Sequence, residues 1–242
     1  MFKNEDFEYV GKIHNKPKCK TPYHFTDITI NHYGYKFAGD KELVEKKTAR
    51  TLPMLLDEYN KDNTDLHALT HLVKSYRIIA DYDNVIFYGE KWLTEINKAD
   101  IHEGWFGYWE TYVDLMEAYM IKKDMENVMR VFHEAEKVSG RIVDMYILLW
   151  NYWLSKDIEK SAMYAEKAIE IYRTKDNPYE DLLTTAAENL IPRIMNMLAV
   201  YYFQKGDRMR AGQMLNDGII LNNNRFPLRW DIWNEENILG VA

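Results

Sequence analysis

Cysteine is almost absent: Cys19 is the only one in 242 residues, so no internal disulfide can form and a reducing compartment is the natural setting. With only 6 prolines and 11 glycines, the chain is poor in breakers, which points to long helices. The most apolar stretch, Met145–Leu154, is too short to cross a bilayer, and the opening MFKNEDFEYV lacks the basic-then-apolar layout of a signal peptide. Basic charge is also in deficit. Against 38 Asp and Glu there are 31 Lys and Arg, a net charge of −7 with no basic run able to track a phosphate backbone. These absences predict a cytoplasmic protein that neither spans a membrane nor binds nucleic acid. Nor does the chain contain GxGxxG, GxxxxGK[ST], HExxH or GxSxG, so no familiar phosphate loop, zinc helix or nucleophile elbow is present.

What is abundant is bulk. The chain is 47% hydrophobic, with 18 Tyr, 12 Met and 7 Trp, enough for a large packed core. Those residues recur in register. Tyr119 follows Tyr112, Leu115 and Met116, and precedes Val128, Phe132 and Ala135; Tyr152 follows Met145, Leu148 and Leu149, and precedes Ser161, Ala165 and Ala168. Tyr202 sits likewise among Met195, Leu198, Ala199, Ala211, Leu215 and Gly218, and Tyr76 among Leu69, Leu72, Val73, Val85, Gly89 and Trp92. This is the two-helix pattern of the tetratricopeptide (TPR) repeat, with a period of about 34 residues. The Tyr119-to-Tyr152 interval is close to standard; the other two carry inserts at Asn97–Trp105 and Arg173–Glu188. Asp124, Asp157 and Asp207 fall where a carboxylate caps the second helix of each pair. The fold class expected is therefore mainly α, a TPR-like solenoid of antiparallel helix pairs over 41–221. A C-terminal cap is expected over 222–242, where Pro227, Trp230 and Trp233 lie. Within the first helix, Pro53 is expected to mark the true start.

Residues 1–40 read differently. Phe7–His14 and Ile28–Tyr35 are aromatic and β-branched runs, expected as strands around a loop with Pro17 and Pro22. His14, Cys19, His24, Asp27 and His32 are all of metal-ligand type, but their spacing matches no closed zinc motif. As a succession of motifs, FKN, then YVGKIHN at Tyr9–Asn15, then ITINHYGY at Ile28–Tyr35, then a Lys-rich helix with Arg50, resembles the end of the catalytic domain of bacterial family 2 glycosyltransferases with TPR repeats behind it. The resemblance implies that His14, and secondarily His32, belong to a metal site holding Mg²⁺ or Mn²⁺ against a nucleotide-sugar. It departs at Asn15, where the family has glutamate. The nucleotide-binding half with its Asp-x-Asp motif is missing from the chain, and Asp81-Tyr82-Asp83 is explained as a helix cap. The function expected is the C-terminal, TPR-containing portion of a glycosyltransferase, inactive and without cofactor on its own. The alternative is a stand-alone interaction scaffold without catalysis.

In TPR stacks the concave side is lined by fixed first-helix positions. Here they include a basic row of His67, Lys74 and Arg77, an acidic row of Glu110 and Glu117, an aromatic row of Tyr146, Trp150 and Trp153, and Arg193 with Asn196. Such a groove suits a protein or peptide partner, a catalytic glycosyltransferase half among them, or a second copy forming a homodimer. The competing expectation is that the aromatics are covered by the chain itself.

Overall fold

A computed structural model describes residues 7–10, 16–19, 41–98, 109–174 and 185–223. Among them are a hairpin of β1 (Phe7–Val10) and β2 (Lys16–Cys19), then α1 (Lys41–Lys61), α2 (Leu66–Ile78), α3 (Tyr82–Lys98), α4 (Trp109–Ile121), α5 (Met125–Val138), α6 (Val143–Trp153), α7 (Ile158–Arg173), α8 (Thr185–Gln204) and α9 (Arg208–Asn223). The chain divides into two compact units. The first holds Met1–Glu103 and Ala118–Lys123, the second Gly104–Glu117 and Asp124–Ala242. In the first, α1 packs on α2 and α2 on α3; in the second, α6 packs on α7, α7 on α8, and α8 on α9.

Each helix buries the stripe that its sequence period marks. On α5, Val128, Val131, Phe132 and Ala135 are buried while Glu126, His133 and Lys137 face water. Burying side chains of this size contributes about 1.5–3 kcal/mol for each large one. The repeat register holds across the described helices. Tyr112, Leu115 and Met116, and likewise Leu69, Leu72 and Val73, are within 2% of complete burial. Four register positions depart: Leu215 is 46% exposed, its place in the core taken by Met214, and Tyr76, Leu148 and Tyr152 are only half-buried.

Turns between paired helices are set by local chemistry. Asp124 and Asp157 accept hydrogen bonds from the amides of Asn127 and Lys160, 3.1 Å each, and Asp207 from that of Arg210 at 3.0 Å. Asp81 does the same for Asn84 at 3.2 Å, so the Asp-Tyr-Asp triplet is indeed a cap. The preceding residues Ala80, Lys123 and Gly206 adopt φ of 57°, 62° and 83°, the left-handed bend that ends a helix. Amides at Asp81 and Asp207 then reach back to the carbonyls of Tyr76 and Tyr202.

Several expectations need correction. Pro53 lies inside α1, not at its start. The hairpin pairs Phe7 with Cys19 and Val10 with Lys16, so its second strand occupies the stretch expected as a loop. Ile28–Tyr35, the other expected strand, lies outside the described residues. Apart from Asn222 and Asn223, which close α9, the expected cap is outside the described residues too.

Candidate interaction surface

The proposed metal residues His14 and His32 lie outside the described residues. Among the described residues no group of three or more His, Cys, Asp and Glu converges on one point.

The ten groove residues fall into both units. In the first, His67 and Lys74 are half-buried and Arg77 is exposed; the His67 ring lies edge-on to His71 at 4.4 Å. In the second, Glu110 and Glu117 are half-buried on α4, and Arg193 is exposed on α8. The aromatic row is where the expectation of an open groove fails. Tyr146 is 3% and Trp150 2% exposed, so both are core residues rather than anchors for a partner. The reason is visible in their contacts. The Tyr146 hydroxyl donates to Glu136 Oε1 at 3.0 Å and its ring meets Phe132 edge-on at 5.3 Å, while the Trp150 carbonyl accepts from the buried Ser161 hydroxyl at 3.0 Å. Trp153 is half-buried, with the Lys160 ammonium 4.3 Å from its ring. Asn196 points into the α8–α9 contact, its Oδ1 3.0 Å from where a Cβ on Gly218 would stand.

A feature missed in sequence is a tyrosine–glutamate clasp between successive repeats. Tyr119 donates to Glu90 Oε1 at 2.7 Å, and Tyr202 donates to Glu166 Oε1. Both glutamates directly follow the small residue, Gly89 or Ala165, of the preceding second helix, so the signal lay in the register. The matching position after Phe132 is His133, which bonds Glu136 at 3.0 Å; Tyr152 is left to the Lys156 ammonium, 3.2 Å over its ring.

The Glu166–Tyr202 clasp lies in an open cleft of about 410 Å³ lined by Glu166, Ile169, Glu170, Arg173, Thr174, Tyr202, Arg210 and Met214. Its charges are largely matched internally. Arg173 pairs with Asp217, the Glu170 carboxylate holds Lys167 at 3.1 Å, and the Arg210 guanidinium lies 5.5 Å from the Tyr202 ring. Burial and the bond to Glu166 push the Tyr202 phenol up to about 12, so it is a poor proton donor near neutrality. This cleft can recognise a side chain; it has no activated nucleophile or acid–base pair on its walls.

Helix pairs, capped turns and inter-repeat clasps define a TPR-like helical-repeat fold. Solved structures share it. The crystal structure of MamA is similar with a TM-score of 0.55 and 16% identity, covering 81% of this chain and 98% of that one. A second MamA structure gives 0.53 and 16%, covering 78% and 93%. BtubC (BKLC) from P. vanneervenii gives 0.57 and 13%, covering 78% and 80%. No protein-family profile and no curated protein matches the sequence. At these identities the likeness establishes the fold alone. Nothing in it supports a glycosyltransferase origin, a glycosyltransferase partner or a homodimer, so the expectation drawn from the N-terminal motifs is left without support. No described helix is long and apolar enough to cross a membrane.

Proposed function

We propose that the chain is a protein-interaction scaffold whose first-helix faces bind a protein or peptide partner. The supporting observation is a split within single helices. On α8, Met195, Leu198 and Ala199 are core, yet Val200 is half-buried and Arg193 and Phe203 are exposed, Phe203 at 63%. On α4, Tyr112, Leu115 and Met116 are core while Glu110, Val113 and Glu117 stay partly open. An aromatic and an arginine both left in water on one first helix are what a recognition face offers, because aromatic and Arg side chains supply most interface energy. With Tyr146 and Trp150 in the core, the face offered on α8 is mixed apolar and basic. It favours a partner segment carrying an apolar anchor and a carboxylate.

Photo-crosslinking tests this. A crosslinking amino acid at Val200 or Phe203 should capture one discrete protein from cell extract, and Phe203→Ala with Arg193→Ala should abolish that capture while leaving the helical content unchanged. Equal capture from Glu126 on the outer side of α5, or no discrete product from any first-helix position, would overturn the reading.

A further inference from the structure

The first unit carries an aromatic cluster where α1, α2 and α3 meet. Buried Tyr88 of α3 is its floor, and three rings surround it. Tyr76 of α2 stacks on it at 5.4 Å, Tyr59 of α1 meets it edge-on at 5.3 Å, and Phe87 lies edge-on at 5.0 Å. Packing against Tyr88 accounts for Tyr76 and Tyr59, both half-buried. It does not account for Phe87, which stays 52% exposed.

Lys91, one turn along α3 from Phe87, closes the cluster. Its ammonium lies 5.0 Å from the centre of the Phe87 ring and 5.9 Å from that of Tyr59, within the range of cation–π attraction. A helical lysine can also pair with a carboxylate four residues away, where Glu95 stands. Glu95 instead holds Lys98 at 2.7 Å. Other acids of α1 and α3 are engaged as well: Asp83 with Lys122 at 2.6 Å, Asp57 with Lys61, and Glu90 with the Tyr119 hydroxyl at 2.7 Å. Among the described residues no carboxylate pairs with Lys91. The cluster therefore holds an ammonium between two rings, without an anion, beside an aromatic side chain left in water.

We propose that Tyr59, Phe87 and Lys91 form a second interaction surface, which takes an acidic segment of a partner protein: a carboxylate on Lys91, with the neighbouring apolar side chain laid on the Phe87 ring. Charge complementarity selects the acid, because a cationic partner would have to expel Lys91 from between the rings. The rings contribute twice. They offer aromatic contact area, and they hold the ammonium in place beforehand, which lowers the cost of ordering it on binding. A membrane surface is a poorer match, since one unpaired ammonium on a chain of net charge −7 gives little attraction to anionic lipid. These residues lie on other helices than the α4 and α8 faces, so the two surfaces stand independently.

The test uses the full chain and a displayed library of random peptides, depleted on a variant carrying both Lys91→Gln and Phe87→Ala and then selected on the wild-type protein. Selected peptides should carry Asp or Glu beside an aromatic or aliphatic side chain. With one of them synthesised, Lys91→Gln should weaken binding about fivefold, as for a partly exposed ion pair, and Lys91→Arg should retain most of it. Phe87→Ala should weaken it about tenfold. Replacing the peptide's acid by its amide should cost as much as Lys91→Gln, with no further loss when the two are combined. Phe203→Ala with Arg193→Ala should leave binding unchanged, and far-UV circular dichroism should show every variant equally helical. The proposal is overturned if no peptide survives depletion, if the survivors are basic or uncharged, if the losses from the amide and from Lys91→Gln simply add, or if the chain instead binds phosphatidylserine vesicles through Lys91.

Discussion

Single residues carry the turns of this fold. Ala80 and Lys123 sit at φ of 57° and 62°, where a Cβ crowds the following carbonyl at a cost of about 1 kcal/mol or more. Gly206 occupies the equivalent place without that cost. Ala80→Gly should consequently raise stability by about 1 kcal/mol, read as a higher urea midpoint with unchanged slope; no gain would mean that the bend is relieved elsewhere. The capping aspartates were legible in sequence because spacing and side-chain type alone identify them. The strain at Ala80 and Lys123 was not, since neither residue type advertises a left-handed conformation. Tyr146 and Trp150 were misplaced for a related reason. A period of three and four marks which residues share a face, but it does not say how deeply a face is buried when both of its flanks are apolar. On α6 nearly the whole surface is hydrophobic, and Val143, Asp144, Met145, Tyr146, Ile147, Leu149 and Trp150 are all buried. Asp144 in the first turn is the one charged member of that set.

At the scale of elements, helix pairs and their capped starts were legible, whereas the close contacts between helices were not. Pro192 stands inside α8, and its carbonyl faces the α9 backbone at Gly218. Sequence reading placed Gly218 correctly as a small second-helix residue but could not say what it admits. The geometry now does: a methyl there would press on Asn196 Oδ1, Met195 Cβ and the Pro192 carbonyl at 3.0–3.3 Å. Two of those three atoms are on or next to the backbone, so they cannot swing aside. Gly218→Ala should therefore lower stability by about 1–3 kcal/mol, although alanine is the better helix former. A gain in thermal or urea stability would show that α8 and α9 can part without loss. The N-terminal hairpin was read less well. β2 runs KPKC, with Pro17 in a two-stranded edge position that tolerates a missing amide proton, and so its proline was mistaken for a loop signal.

At the scale of the molecule, the same tyrosine chemistry recurs in both units and gives the chain a common alkaline limit. Tyr88 in the first unit is raised to about 12 by burial and by its neighbours Tyr76, stacked at 5.4 Å, and Tyr59, edge-on at 5.3 Å. In the second unit burial raises Tyr112 to about 12, and burial with the Glu166 bond raises Tyr202 to about 12. Tyr146 is lifted well above the ordinary phenol value by burial and by the bond to Glu136. A phenol is neutral below its pKa, so a folded value above the unfolded one means that the folded state holds the proton more tightly. Stabilisation from these groups is complete below pH 10 and is lost as pH rises from about 10 towards about 12. Tyrosinate absorbance and helical circular dichroism should then move together on alkaline titration, with the buried phenols ionising only as the helices melt. Tyr201, on the surface and raised chiefly by its bond to Glu159, should ionise without loss of helix. Replacing Tyr202 with phenylalanine should shift the helical transition to higher pH, since one proton fewer is then released on unfolding, while lowering stability at pH 7 by about 1 kcal/mol for the lost hydrogen bond. If instead tyrosinate forms fully with the helices intact, the phenols are reached by solvent and the inter-repeat clasps open far more readily than their geometry implies.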